Sequence, residues 1–268
     1  MRRIPWMLAG VLALTGLASP APAGTTSFRT VTDASGWCDE GKGDWREAQH
    51  CEVREATWDA AGAPLAVDAA PNGGISVVGW DKNEVRLLVK VVASGTSRED
   101  ARARAAAVRI ATDGTIRAVA GNDSRAWTSF RLQVPRALAL ALSAHNGGIN
   151  LDGLTGTVEA STVNGGLHLE RMGGKVTART QNGGLHVDLD GDGWDGEGLS
   201  AETSNGGVHL ELHDGYNAHL VTSTVNGGIH APAALRERFE GKRLDVELGR
   251  GGAPVRAVTR NGGIHIEG

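Results

Sequence analysis

One stretch decides the fold of this chain: Thr162-Val163-Asn164-Gly165-Gly166-Leu167-His168-Leu169-Glu170. It returns with few changes at residues 180 to 188, 203 to 211, 224 to 232 and 259 to 267. Two shorter copies occur nearer the start of the chain, so that seven asparagines mark the repeat: Asn72, Asn146, Asn164, Asn182, Asn205, Asn226 and Asn261. From the second copy onward the asparagines are 18, 18, 23, 21 and 35 residues apart. Strand-forming repeats with periods near 20 residues predict a solenoid.

Small or apolar residues alternate with polar ones on both sides of each Asn-Gly-Gly corner. Val158, Ala160 and Thr162 precede the corner of the third copy, and Leu167 and Leu169 follow it. A period of two is typical of a half-buried strand. Each repeat is therefore predicted to be a strand, a glycine corner and a second strand. We expect the two glycines to supply backbone angles that residues with a Cβ atom reach only at a cost.

The asparagine shares the inward parity of the threonine two residues before it. A buried amide needs hydrogen-bond partners, and coils stacked about 4.8 Å apart would let each Asn bond to the Asn above and below. We therefore predict a buried, structural amide ladder, because exposed amides that bind a ligand would need the opposite parity. Equivalent strands of stacked coils run the same way, so the predicted fold is all-β, a single-stranded parallel β-helix or β-solenoid.

Residues 1–23 have the pattern of a signal peptide. Arg2 and Arg3 precede an apolar run over residues 4 to 17, and Ala21-Pro22-Ala23 offers a cleavage site. We expect export to the periplasm, the outer surface or the medium, with no transmembrane segment after cleavage. Removing two arginines changes the net charge from -4 to -6, which argues against a nucleic-acid partner.

The chain after the signal peptide divides into residues 24–63 and residues 64–268. The first segment holds both cysteines, Cys38 and Cys51, which are expected to form a disulfide outside the cytoplasm, with a metal-binding pair as the alternative. The second segment is the predicted solenoid domain. One helix is predicted at about residues 97–110, where Thr96 and Glu99 form a capping box, and we expect it to cover the end of the solenoid. Residues 233 to 250 are expected to cover part of the edge of the last copy.

The chain resembles the bacterial putative-adhesin family of β-strand-repeat envelope proteins. The resemblance rests on the tandem Thr-x-Asn-Gly-Gly corners, on Gly79-Trp80-Asp81 after the first copy and on the final Asn261-Gly262-Gly263-Ile264-His265-Ile266. It covers residues 64 to 268. It implies the repeat fold and an adhesin-like or structural role in the cell envelope, and it implies no catalytic residues. Fold alone does not give function.

A row of histidines is the most distinctive chemical feature outside the corners: His168, His186, His209, His230 and His265 occupy one repeat position. Two residues later comes a row of carboxylates, Glu170, Asp188, Glu211 and Glu267, interrupted by Pro232. Neighbouring imidazoles about 5 Å apart could share a divalent transition metal with a carboxylate. They could also titrate together as a pH-sensitive surface. The third interpretation is a solvated strand face on which histidine is tolerated.

A second possible cation site begins at Asp188, where carboxylates at Asp188, Asp190 and Asp192 precede Gly193 as in the opening of a calcium loop. The twelfth position is Leu199, where such a loop needs a bidentate Glu. An acidic turn explains the pattern equally well. No cofactor is required by the sequence, and a divalent metal is the one that these patterns allow.

Enzyme signatures such as Gly-x-Ser-x-Gly, His-Glu-x-x-His and phosphate-binding glycine loops are not found in the sequence. We therefore expect a non-enzymatic solenoid that binds a surface glycan, an envelope protein or another copy of itself. The alternative is a carbohydrate-active β-helix enzyme, a polysaccharide lyase or hydrolase, that uses carboxylates such as Asp188, Asp190 and Glu211. A cleft with clustered carboxylates would favour the enzyme, and a smooth rod would favour the binding protein.

Overall fold

The computed structural model describes residues 26–33, 36–39, 48–119 and 125–268. The predicted signal peptide lies outside the described residues. Within them the chain is mainly β, as predicted, and it contains two helices, α1 (Arg98–Ala107) and α2 (Ala233–Arg236). The sequence predicts one of these helices, α1. The second has only four residues and follows Pro232, whose fixed backbone angle suits the start of a helical turn.

Twenty-one strands are present in the described residues. The first eight are β1 (Arg29–Val31), β2 (Ala48–Asp59), β3 (Leu65–Asp68), β4 (Ile75–Trp80), β5 (Glu84–Gly95), β6 (Arg109–Ala111), β7 (Thr115–Val119) and β8 (Ala126–Pro135). The next seven are β9 (Leu140–Asn146), β10 (Ile149–Asp152), β11 (Thr157–Asn164), β12 (Leu167–Glu170), β13 (Lys175–Asn182), β14 (Leu185–Leu189) and β15 (Gly198–Asn205). The last six are β16 (Val208–Leu212), β17 (Ala218–Asn226), β18 (Ile229–His230), β19 (Arg243–Leu248), β20 (Pro254–Asn261) and β21 (Ile264–Glu267).

The strands form two mostly parallel sheets. The first sheet has the order β1-β2-β5-β8-β4-β10-β12-β14-β16-β21-β18, and the second has the order β19-β17-β20-β15-β13-β11-β9-β3-β7-β6. Antiparallel pairs occur toward the ends, where β1, β2, β5 and β8 meet and where β6 and β19 pair with β7 and β17. Each copy of the repeat adds one strand to each sheet, before and after its Asn-Gly-Gly corner. The copies pair in register, so that Asn164 stands opposite Asn182 and His168 opposite His186.

The core lies between the two sheets and follows the predicted alternation. Val158 and Ala160 of the second sheet and Leu167 and Leu169 of the first are all buried. The same positions of the other copies join them in one continuous apolar cluster. Because the cluster is shared between copies, each copy buries its apolar residues only when its neighbours are in place.

The copies do not stack in chain order throughout. The strands of the last copy, β20 and β21, pair with β15 and β16 on one side and with β17 and β18 on the other. The last copy in sequence is therefore an interior layer, and the expectation that it forms an edge covered by residues 233 to 250 was wrong. The excursion over residues 233 to 250 does cover an edge, but it is the edge of β17, to which β19 pairs antiparallel.

The helix α1 packs against β2 and β5 and buries Ala101 and Ala105. Its N-cap is Ser97, whose side chain accepts a hydrogen bond from the Asp100 backbone N–H. The predicted capping box at Thr96 and Glu99 was therefore one residue too early. The box pairs Ser97 with Asp100, and the Asp100 carboxylate in turn accepts from the backbone N–H of the preceding threonine.

The segment at residues 24–63 contributes β1 and β2, which extend the first sheet by antiparallel pairing. The predicted disulfide joins Cys38 to Cys51, with their Cα atoms 5.8 Å apart, and so ties a loop to β2. Neither helix of the described residues is long and apolar enough to cross a membrane.

Candidate functional site

The two glycines of each corner have different neighbours. An alanine Cβ atom at Gly165 would lie 2.1 Å from the backbone oxygen of Gly147 in the adjoining copy, whereas one at Gly166 would lie 3.3 Å from the oxygen of Gly184. None of the corner glycines has a positive backbone φ. The expectation that they supply unusual backbone angles was therefore wrong. The first glycine is needed because two backbones approach closely, whereas a Cβ atom at the second would require only a small shift of its neighbour.

Hydrogen bonds between copies reinforce this close approach. The Thr162 hydroxyl is buried and donates to the Gly147 oxygen over 2.8 Å. The equivalent threonines of four other copies, Thr180, Thr203, Thr224 and Thr259, make the same bond to the first corner glycine of an adjoining copy. A buried hydroxyl of this kind contributes about 1 kcal/mol when its bond is made.

The seven repeat asparagines form a continuous chain of side-chain hydrogen bonds. Bonds of 2.8–2.9 Å, from the Nδ2 of one amide to the Oδ1 of the next, link them in the order Asn226, Asn261, Asn205, Asn182, Asn164, Asn146 and Asn72. All seven side chains are exposed, so the predicted burial was wrong. The reason is a shift of phase in the corner: Thr162 and Leu167 are both buried although they are five residues apart. Strict alternation cannot place both inward, and the asparagine falls where the alternation breaks.

The histidine row is a column of touching rings. Its order is His168, His186, His209, His265 and His230, with successive ring centroids 4.3, 4.8, 5.1 and 4.7 Å apart. Three of the four contacts are stacked, and the contact between His168 and His186 is edge to face. The column follows directly from the in-register pairing of the strands in the first sheet.

An open groove of about 870 Å³ runs beside this column. It is lined by the five imidazoles, by Asn150 at the equivalent position of the second copy, and by the second glycine of six corners: Gly148, Gly166, Gly184, Gly207, Gly228 and Gly263. Six strands about 4.8 Å apart give the groove a length of about 24 Å. The repeated second glycine contributes backbone to the floor of this groove, and the residues that follow it complete the lining: Leu167, Leu185, Val208, Ile229 and Ile264.

The carboxylate row lies beside the histidine column but outside the groove lining. Arg171 pairs with Glu170 of this row and, at 2.5 Å, with Asp152, the equivalent residue of the second copy. Farther along the row, the Oε1 atom of Glu211 lies 3.4 Å from His186 Nε2 and 3.3 Å from His209 Nε2. At the next copy, His265 and Glu267 are 2.7 Å apart.

One group of three or more possible metal ligands occurs among the described residues, and it comprises His186, His209 and Glu211. Its ligand atoms all lie within 4.8 Å of one another. The Nε2 atom of His209 is enclosed and makes no hydrogen bond. Of the residues that the sequence suggested for metal binding, the structure thus brings two together, His186 and His209, and it adds Glu211 from the neighbouring carboxylate row.

Burial and neighbouring charges shift the pKa values of two side chains at this site, His186 and Asp188. Burial, and next the adjacent His168, lower the pKa of His186, which keeps the imidazole neutral at pH 7. Burial, and next the charge of Glu211, raise the pKa of Asp188 above its usual range. The site therefore combines the neutral imidazole of His186 with crowded carboxylates, a combination that favours a cation.

The three aspartates of the suggested calcium loop differ in their exposure to solvent. Asp188 lies in β14 with one enclosed oxygen that has no hydrogen bond, whereas Asp190 and Asp192 are exposed. Asp190 accepts a hydrogen bond from the backbone N–H of Gly191, and its carboxylate lies 3.5 Å from His213. The three do not form a ligand group in the described part of the chain. These positions therefore fit an acidic turn better than a calcium loop.

Comparisons with known proteins give only remote likenesses. No family model matches the chain, and no curated protein gives a significant match. Two solved structures resemble it: a putative cell adhesion protein from Clostridium sporogenes ATCC 15579 and a putative adhesin from Bacteroides fragilis NCTC 9343. The first has 10% identity and a TM-score of 0.40, over 83% of this chain and 99% of that one. The second has 9% identity and a TM-score of 0.34, over 80% and 96%. Likeness at this level carries no argument about function.

Proposed function

We propose that this protein is an exported, non-enzymatic binding protein of the cell envelope, built as a single-stranded parallel β-helix and belonging to the bacterial putative-adhesin family. Its ligand is an extended polar polymer, a surface glycan, that lies along the histidine-lined groove. The groove carries the proposal, because it joins a long open floor of glycine backbone to a column of five imidazoles.

The lining suits a chain with regularly spaced hydroxyl groups. A neutral imidazole has one ring nitrogen that donates and one that accepts a hydrogen bond, and a hydroxyl group can accept from the first or donate to the second. The imidazoles recur at 4.3–5.1 Å along the groove, so equivalent contacts repeat along a linear ligand. Many weak contacts of one kind add up to useful affinity when they act on one polymer.

Two observations support the binding role over the carbohydrate-active enzyme. No carboxylate of the described residues lines the groove, although glycoside cleavage uses carboxyl groups on both sides of the scissile bond. Asp188 and Glu211, which the enzyme would use, belong to the row outside it. The groove also repeats the same side chains from copy to copy, where an active site needs a few distinct ones.

Export is supported by the Cys38–Cys51 disulfide and by the sequence of residues 1–23. Disulfides of this kind persist in oxidising compartments and are rare in the cytosol. The destination we propose is the periplasm, the outer surface or the medium.

A glycan array with a blocking variant tests the proposal. Gly184→Gln places a side chain on the groove floor, where a Cβ atom meets its nearest neighbour at an ordinary 3.5 Å. Arg179→Gln is the matched control, since Arg179 is exposed on the second sheet. We expect the unmodified protein and the control to bind one class of glycan and the blocking variant to lose at least tenfold in affinity. Failure to bind any glycan, or equal binding by the blocking variant, would refute the proposal.

A further inference from the structure

The geometry points to a binding site for one divalent transition-metal ion of the zinc class, formed by His186 Nε2, His209 Nε2 and Glu211 Oε1. These three side chains lie on neighbouring strands β14 and β16. The two imidazoles line the groove and Glu211 lies outside it. The metal site therefore shares two side chains with the proposed glycan groove, but the proposal does not depend on glycan binding.

The distances fit tetrahedral coordination. Metal bonds of about 2.0–2.1 Å in a tetrahedral zinc site put neighbouring ligand atoms about 3.3 Å apart. Glu211 Oε1 is 3.4 Å from His186 Nε2 and 3.3 Å from His209 Nε2. The two imidazole nitrogens lie within 4.8 Å of each other, so a small rotation of one ring completes the three-ligand set.

These contacts are not satisfied as hydrogen bonds. His209 Nε2 is enclosed by protein and has no hydrogen-bond partner, although Glu211 and Glu267 both lie within 4 Å of it. An enclosed polar nitrogen without a partner costs about 1–3 kcal/mol. A metal ion at this place would give the nitrogen a ligand bond. The carboxylate of Glu267, whose Oε2 is 3.7 Å from the same nitrogen, is available for the fourth position.

The rest of the column explains why one place is favoured over the others. The carboxylates Asp152 and Glu170 both pair with Arg171, so the carboxylates beside His168 are already engaged. At the other end, His230 has Pro232 where the other copies have a carboxylate. His265 is hydrogen-bonded to Glu267 over 2.7 Å. Two imidazoles therefore face the same carboxylate oxygen at Glu211, whereas Glu267 faces His265 with Oε1 and His209 with Oε2.

Calorimetric titration of the purified full chain with Zn²⁺ alone tests the site, with visible absorption of Co²⁺ as a second readout of tetrahedral geometry. We expect one ion per chain. Glu211→Gln and His209→Gln should each lower the affinity at least tenfold, whereas the matched control His230→Gln should leave it unchanged. Thermal unfolding in a chelator shows whether each variant is folded.

Three results would overturn the site: no saturable Zn²⁺ binding, an unchanged affinity in Glu211→Gln, or an equal loss in His230→Gln. The glycan proposal is judged separately. Gly184→Gln should keep the Zn²⁺ affinity and lose glycan binding, and a chelator should leave glycan binding of the unmodified protein in place. Zn²⁺ binding and glycan binding can therefore be lost separately, and each proposal is tested by its own measurement.

Discussion

Replacing Gly165 by alanine should destabilise the protein far more than replacing Gly166, the next residue in the chain. The added Cβ atom would stand 2.1 Å from the Gly147 oxygen and 2.4 Å from the Gly147 carbonyl carbon. Both neighbours are backbone atoms of the adjoining copy, so no side chain can swing away. Restoring an ordinary contact of 3.4 Å would move the two copies apart locally by about 1.3 Å, a large shift for a closely packed core.

The cost follows from the bonds that such a shift would break. The Thr162 hydroxyl bond to Gly147, the backbone bond from Gly147 to Asn164 and the amide bond between Asn164 and Asn146 all cross this junction, at 2.8, 3.1 and 2.8 Å. At about 1 kcal/mol each, their loss amounts to about 3 kcal/mol. For a chain of this size that corresponds to a fall in melting temperature of about 6–12 °C.

Gly166→Ala is the matched control. Its Cβ atom would lie 3.3 Å from the Gly184 oxygen, so the neighbour must give by only a few tenths of an ångström. Alanine also restricts the unfolded chain, which stabilises by about 0.4–1 kcal/mol where the native backbone tolerates it. We expect a net change within about 0.5 kcal/mol. Thermal and urea unfolding followed by circular dichroism measure both variants, and equal destabilisation by the two substitutions would refute the steric explanation of the corner.

Three further changes have defined outcomes. Thr203→Val keeps the buried shape but removes a hydroxyl that donates to the adjoining copy over 2.7 Å; it should cost about 1 kcal/mol in urea unfolding, and an unchanged midpoint would contradict this. Asp188→Asn should stabilise the protein at pH 7. The folded-state pKa of Asp188 is raised above its usual 3.8, so the folded state favours the protonated carboxyl group. The contribution of that group to stability is therefore fully present below pH 3.8 and is lost as the pH rises through the folded-state pKa. The gain should disappear when the melting temperatures are compared below pH 3.8, and a gain that is independent of pH would show another cause. Reduction of the Cys38–Cys51 disulfide should cost about 3 kcal/mol, as expected for a short closed loop, and melting curves with and without reductant should differ; identical curves would show that the loop contributes nothing.

The sequence was sufficient to predict the strands, the corners and the pairing of like residues. Val158 and Leu167 are buried where the alternation places them, and His186 stands opposite His209 because the copies align. Those predictions hold because alternation and repetition are local or periodic, and both can be read from the chain directly.

The exposure of the asparagines could have been foreseen, but it requires counting across the corner. Thr162 and Leu167 are five positions apart, an odd number, so one unbroken alternation cannot place both side chains inward. The need for glycine at position 165 could not be foreseen in the same way. It arises from the distance between two copies, a property of the stack that no single copy contains.

The order of the copies was beyond sequence reasoning for a related reason. The corners at Asn205, Asn226 and Asn261 carry nearly the same residues, so each can pair with either of the others. The long excursion before the last copy allows it to return between two earlier ones. The possible fourth metal ligand depends on the same order, because Glu267 stands next to His209 only when the last copy takes this interior place.

That interior place means that the segment over residues 254 to 267 joins two layers whose strands do not pair with each other. The layer formed by β17 and β18 cannot reach its final position until a later part of the chain has slipped in beneath it, so assembly cannot proceed as simple winding from one end. A chain cut before residue 254 would lack the layer that separates β15 and β16 from β17 and β18, and we expect these similar strands to pair with each other instead. The order in which the strands meet during folding is then expected to decide whether the last copy can enter its interior place.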